Sequence, residues 1–185
     1  MSKRAIVVLA EGFEEIEAVT PIDVLRRAGI EVTVAGISGT TVRGAHGVNF
    51  GCDATLASVH FVPDVIVLPG GLPGAENLGA SAMVRDRVLE VRDAGGLCAA
   101  ICAAPAFTLA PYGLLDDRRA TCYPGFEHHF GPRTQASDER VVVDGRIVTS
   151  RGPGTALEFS LAIVDLLVGA EAARGLEQGM LAKGG

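Results

Sequence analysis

The run "DVIVLPGG", residues 64–71, is apolar without a break from Val65 to Leu68. A strand with no polar alternation is covered on both faces, the situation of a central strand in a parallel sheet flanked by helices. "RAIVVLA" (4–10) and "LCAAI" (97–101) read as strands too, and "IEVTVAGI" (30–37) as a strand with clean alternation. Helical patterns fall between them. "EEIEAVTPIDVLRRAG" (14–29) closes at Gly29, with Pro21 expected to kink it, and "SAMVRDRVLEVRDAG" (81–95) is amphipathic and closes at Gly95. "TTVRGAHGVNFGCDATL" (40–56) reads as short strands and turns. "RVVVDGRIVTS" (140–150) is a hairpin signalled by Asp144-Gly145. Thr155 and Glu158 have capping-box spacing ahead of the helix "LEFSLAIVDLLVG" (157–169), and "LEQGMLAKGG" (176–185) reads as a short helix with a frayed end. The alternation predicts α/β architecture: one three-layer domain over residues 1–185 with a mostly parallel central sheet.

The chain has 185 residues and a formal net charge of −6, with no basic stripe, so nucleic acid is not expected as the main partner. The apolar stretches stop short of a membrane span, and the apolar run before Glu11 is too short for a signal-peptide core, so the expected location is cytoplasmic. Cys52, Cys98, Cys102 and Cys122 are scattered and expected to be free thiols. Cys98 and Cys102 have C-x-x-x-C spacing, with no second ligand pair to suggest zinc, so no metal and no cofactor are expected.

Ligand sites in open α/β sheets lie beyond the carboxyl ends of the strands. Four unusual segments follow strands here: "EGFEEIE" (11–17), "PGGLPG" (69–74), the turn at Cys102 and "SRGPGT" (150–155). In "GGLCAAICAAPAFTLA" (95–110) a strand runs into a helix with Pro105 in its first turn, and Cys102 stands at the hand-over. This resembles a nucleophile elbow without its serine pattern, with Ala100, Ala103 and Ala104 small enough for close backbone approach. The amides of Ala103 and Ala104 and the helix dipole would favour thiolate. The competing reading is a small buried core residue, which is the expectation for Cys98.

Glu14 and Glu17 share a helical face while Glu15 points elsewhere. A carboxyl at Glu17, packed toward the sheet, would have a raised pKa and would serve as hydrogen-bond donor and proton shuttle beside the thiol. "PGGLPG" lacks the lysine of a phosphate loop, and the Gly71 amide is instead a candidate oxyanion donor. The histidines His46, His60, His128 and His129 form no dyad with a cysteine that spacing reveals.

"KRAIVVLAEGFEEIEAVTPIDVLRRAGIEVTVAG", "DVIVLPGGLPGAENL", "AAICAAP" and "VTSRGPGTALEFSLAIVDLL", in that order, resemble the ThiJ/PfpI superfamily, in particular its Parkinsonism-associated protein deglycase branch and bacterial relatives. The resemblance implies a flavodoxin-like sandwich and a homodimer, with the contact around the first helix and "VRGAHGVNFG". It makes Cys102 the reactive cysteine and Glu17 the glutamate bonded to it. Gly71 and Ala103 would be the oxyanion-type amides, with Arg151 and Pro153 in the pocket wall. Some members have a histidine before the proline near the site, where "TCYPGF" places Tyr123, and the protease-like branch has histidine where Ala103 stands. Both departures weaken a Cys-His dyad. The implied function is a cofactor-free glyoxalase or deglycase acting on α-oxoaldehydes such as methylglyoxal and glyoxal, or on their early adducts. The alternatives are a non-catalytic oxidative-stress sensor or redox-regulated chaperone, and a cysteine peptidase or amidase.

Overall fold

The structure is a computed structural model that describes residues 2–182; the expected frayed end at 183–185 lies outside the described residues. In chain order the elements are β1 (Arg4–Leu9), α1 (Glu15–Arg27), β2 (Glu31–Gly36), β3 (Thr41–Arg43), β4 (Asn49–Gly51), β5 (Ala54–Thr55) and β6 (Val65–Leu68). Then follow α2 (Gly74–Ala80), α3 (Ala82–Asp93), β7 (Leu97–Ile101), β8 (Arg119–Ala120), β9 (Gln135–Ala136), β10 (Val141–Asp144), β11 (Ile147–Ser150), α4 (Ala156–Leu167) and α5 (Ala170–Gly179).

Seven strands form the central sheet in the order β10-β11-β7-β6-β1-β2-β5, all parallel except the β10–β11 hairpin. The unalternated runs are its centre: every residue of β6, β7 and β11 is buried, as are five of six in β1. From β1 the chain crosses through α1 to β2 on one side, and from β6 through α3 to β7 on the other. Right-handed crossovers running in opposite directions put α1 and α3 on opposite faces, which gives the three layers. α4 packs on α1 and α5 on α4, while α2 packs on α3. The strand order reverses between β1 and β6, so the switch-point crevice lies beyond their carboxyl ends.

The sequence boundaries hold where a glycine sets them. Gly29 (φ 75°) closes α1, with the Gly29 and Ile30 N–H groups donating to the Arg26 and Leu25 carbonyls. The helix runs continuously through Pro21. Two local expectations are corrected. Thr155 and Glu158 form no capping box: the Thr155 hydroxyl donates to the Gly152 carbonyl, and Glu158 is taken by Arg140 at 2.9 Å. The helix after Cys102 is not a regular α-helix. From Pro105 to Leu109 it widens to i→i+5 bonding, with Ala110 N–H donating to the Pro105 carbonyl at 3.0 Å.

Gly79 in α2 abuts this widened turn, and a Cβ there would lie 2.1 Å from the Phe107 carbonyl oxygen. Backbone cannot give way as a flexible side chain does, so Gly79→Ala is expected to destabilise the fold by about 1–3 kcal/mol, read as a lower urea midpoint at unchanged m-value. A neutral substitution would show that the turn after Cys102 shifts freely.

Candidate active site

Glu14 starts α1: its backbone is extended (φ −82°, ψ 124°) and its Oε2 accepts the Glu17 N–H at 2.8 Å. Glu17 is therefore the third residue of the helix, from which a glutamate ordinarily reaches back to the cap. Here it turns toward the sheet instead. Its Oε2 accepts the Gly70 N–H at 2.9 Å, and its side chain is wholly buried. Glu15 points away, with Oε1 accepting the His46 and Val48 N–H groups and Oε2 2.9 Å from His46 Nδ1. Partial desolvation opposes it, but these bonds hold the Glu15 carboxyl below the usual range and raise His46.

Cys102 follows β7 and has φ 64°. Non-glycine residues seldom adopt this left-handed conformation, and at the end of a strand it presents the side chain as an elbow does. Both sides of its backbone are tied: the Cys102 N–H donates to the Ser150 carbonyl at 2.9 Å, and its carbonyl accepts the Tyr123 N–H at 2.8 Å. The thiol is 8% exposed.

Gly70 is where the three segments meet. A Cβ on it would sit 2.6 Å from Cys102 Cβ, 2.7 Å from Glu17 Oε2 and 3.0 Å from the Ala103 nitrogen. Sequence reasoning chose Gly71 from this loop and missed Gly70, whose N–H fixes the carboxyl and whose missing side chain makes room for it. Gly71 (φ 84°) has its own constraint, since a Cβ there would meet the Glu14 nitrogen at 2.4 Å.

The electrostatics follow from burial. Desolvation, aided by the nearby Glu14 charge, pushes Glu17 up to about 7, against the pull of the Cys102 thiol and the Gly70 N–H. Burial also pushes the Cys102 thiol up, and a charged Glu17 pushes it further. The amides of Gly71 and Ala103 oppose that rise. The expectation that the helix start alone favours thiolate is corrected: Ala104 is not among the groups acting on the thiol, and desolvation dominates. The two groups compete for one negative charge, because ionising either raises the other. They act strongly on each other, yet Glu17 Oε1 completes no hydrogen bond among the described residues. Protonated, the carboxyl becomes a buried donor beside the Cys102 thiol, the side chain that pulls on it.

Of the other candidate residues, Ala103 stands beside the thiol and Tyr123 beside the turn. Pro153 starts the tight turn Pro153–Thr155. Arg151 donates to the Asp138 carbonyl and Oδ1 at 3.0 and 2.8 Å. His46 is held by Glu15, while His128 and His129 stack on each other with ring centroids 4.2 Å apart. The groups acting on the Cys102 thiol are Glu17, Gly71 and Ala103, with no histidine among them. Cys98 and Cys122 are buried and raised to about 12, and Cys52 is raised by burial and by Asp53. A cavity of about 810 Å³ lies at the opposite end of the sheet, lined by Lys3, Arg4, Asp64 and Arg146 among others. No cysteine lines it, and its Lys3 is ion-paired with Asp64 at 2.9 Å.

A parallel α/β sandwich with a cysteine elbow at its switch point, paired with a buried glutamate, defines a class. Comparison with known proteins gives it a name: residues 3–166 match the model of the DJ-1/PfpI family, and the chain belongs to that family. It is 45% identical to Protein dj-1beta of Drosophila melanogaster over 184 residues, 98% of each chain. It is 44% identical to Protein DJ-1 homolog B of Arabidopsis thaliana over 174 residues, 93% of this chain but 40% of that longer protein. It is 37% identical to the Caenorhabditis elegans protein named Glutathione-independent glyoxalase DJR-1.2 over 171 residues, 91% of each. Among solved structures, oxidized Toxoplasma gondii DJ-1 superposes with a TM-score of 0.94 at 39% identity, covering 97% of this chain and 98% of that one.

The raised carboxyl has a stability consequence with a definite sign. Glu17 holds its proton more tightly folded (about 7) than unfolded (ordinary value 4.5). Its contribution is therefore whole below about 4.5 and is lost as pH rises through about 7. Glu17→Gln is expected to gain stability over wild type as pH climbs across that window, by on the order of 3 kcal/mol at the plateau. Urea unfolding at pH 5 and pH 8 checks this, and a gain that does not vary with pH contradicts it.

Proposed function

We propose that the chain is a cofactor-free glyoxalase-type enzyme that converts α-oxoaldehydes to 2-hydroxy acids, and that reverses their early adducts by removing the free aldehyde. The observation carrying this reading is a thiol and a proton-exchanging carboxyl held against each other across Gly70, with Glu17 near 7. The glyoxalase name of a 37% identical relative supports it. As Cys102 Sγ bonds to the aldehyde carbon, the thiol proton passes to Glu17 and on to the carbonyl oxygen, giving a hemithioacetal. Glu17 then takes the proton from that carbon, giving an enediol, and returns it to the neighbouring ketone carbon, while the hydroxyl proton on the former aldehyde oxygen passes to the former ketone oxygen. The product is a thioester of the hydroxy acid, which water cleaves to restore the thiol. The Gly71 and Ala103 amides, which favour charge on sulfur, also lie where they would favour charge on the adjacent oxygen.

Cys102→Ala is expected to abolish methylglyoxal turnover with an unchanged circular-dichroism spectrum. Glu17→Gln is expected to lower kcat by about 10²–10⁴-fold. Wild-type kcat should rise with pH through about 7, as Glu17 becomes able to accept a proton. A Cys102→Ala variant that keeps most of its rate would remove the thiol from the mechanism.

The description of the Toxoplasma gondii relative as oxidized favours a second reading of the same thiol, as a peroxide-responsive group. We further propose a homodimer. Ile16, Val19 and Val48 are 53%, 44% and 54% exposed, and Glu15 bridges their segments through Val48 N–H. Light scattering is expected to give twice the monomer mass, and a monomer at micromolar concentration would contradict it.

A further inference from the structure

Beside the elbow stands a group of rings that the proton chemistry does not use. Tyr123 is 46% exposed, and its hydroxyl has no hydrogen-bond partner among the described residues. Its ring lies 3.3 Å from the point where a Cβ of Gly152 would stand, and that point is 4.0 Å from Glu17 Oε1. The ring and the carboxyl thus face the same glycine from two sides. Phe126 follows at 6.1 Å from Tyr123, Phe107 packs edge-on to Phe126 at 5.5 Å, and His129 lies 4.7 Å from Phe107. Two members of this row are fastened to the turn at Cys102: Tyr123 N–H donates to the Cys102 carbonyl and Phe107 N–H to the Ala103 carbonyl. The nearby charges are occupied, with Glu127 accepting the Gly125 N–H and Arg151 held by Asp138.

A row of rings anchored to the turn at Cys102, with Tyr123 exposed and Phe126 and Phe107 partly buried behind it, suits a flat, uncharged, aromatic group. The methyl of methylglyoxal is too small to reach along it. Resting on the glyoxalase reading above, we propose that Tyr123 and Phe126 form a substrate side-chain subsite, and that the enzyme prefers α-oxoaldehydes bearing an aryl group, of which phenylglyoxal is the simplest. The reaction is balanced by water alone: phenylglyoxal plus water gives mandelate and a proton, the aldehyde carbon being oxidised and the ketone carbon reduced. Aromatic contacts of this kind add about 2- to 10-fold each beyond area burial.

The test is the ratio of kcat/KM for phenylglyoxal to that for methylglyoxal. Wild type is expected to favour phenylglyoxal. Tyr123→Ala should lower the ratio by about fivefold and Phe126→Leu by less, while Tyr123→Phe retains it because the hydroxyl is unbonded. A Tyr123→Ala variant that slows both substrates equally, or leaves the ratio unchanged, overturns the proposal and makes Tyr123 a support for the elbow. A second readout needs no turnover: protection of Cys102 from iodoacetamide by mandelate or by lactate. Mandelate should protect wild type better than lactate, and this advantage should vanish in Tyr123→Ala. Equal protection by the two acids overturns the subsite. If wild type turns over neither aldehyde, the glyoxalase reading fails, and mandelate protection still decides whether the rings bind an aryl group.

Discussion

One hydrogen bond, from the Gly70 N–H to Glu17 Oε2, holds the site in its geometry. It joins the helix after β1 to the loop after β6 at the point where the strand order reverses. The bond satisfies one buried carboxyl oxygen and leaves the other, among the described residues, with only the Cys102 thiol acting on the carboxyl beside it. A carboxyl so placed resists ionisation because water is excluded and because Glu14, which caps the same helix, is nearby. The raised pKa is thus a consequence of how α1 begins and where it docks. The fold therefore gives up stability near neutrality to keep this carboxyl buried.

The rest of the architecture keeps that carboxyl against a thiol. β7 pairs with β6 in parallel, so the residue after β7 emerges beside the loop after β6. The left-handed backbone at Cys102 turns the thiol back toward that loop, and Gly70 lacks the side chain that would separate the two groups. Among the described residues no histidine acts on the sulfur, so in the proposed mechanism the proton exchange is assigned to Glu17. That distinguishes the site from a cysteine peptidase arrangement, in which an imidazole takes the thiol proton.

Much of this was legible in the sequence because central parallel strands leave an unalternated pattern. β1, β6, β7 and the site end of the sheet all follow from runs such as Val65–Leu68. The separation of Glu15 from Glu14 and Glu17 follows from helical geometry. Other features depend on contacts distant in sequence, where local patterns say little. Thr155 has cap spacing, but Ser150 Oγ lies 2.6 Å away and the hydroxyl is committed to the Gly152 turn. Arg151 sits in a site-adjacent motif, yet Asp138 captures it from another loop. The choice between Gly70 and Gly71 rests on which amide meets a carboxyl 53 residues away. The thiol's environment is not legible from the helix start at Ala103, because the desolvation of a packed switch point outweighs it.

The aromatic row extends the same logic from reactivity to selectivity. A nucleophile at a tight turn has its backbone committed, here to Ser150 and Tyr123, and little freedom to adapt to different substrates. Selectivity is then left to side chains that flank the turn without supporting it. Tyr123 meets that description: its backbone fastens the loop to Cys102, while its ring is half exposed and its hydroxyl unbonded. Backbone and side chain at this position therefore separate positioning from recognition. The ring can vary without moving the sulfur, whereas a side chain at Gly70 would force the sulfur and the carboxyl apart.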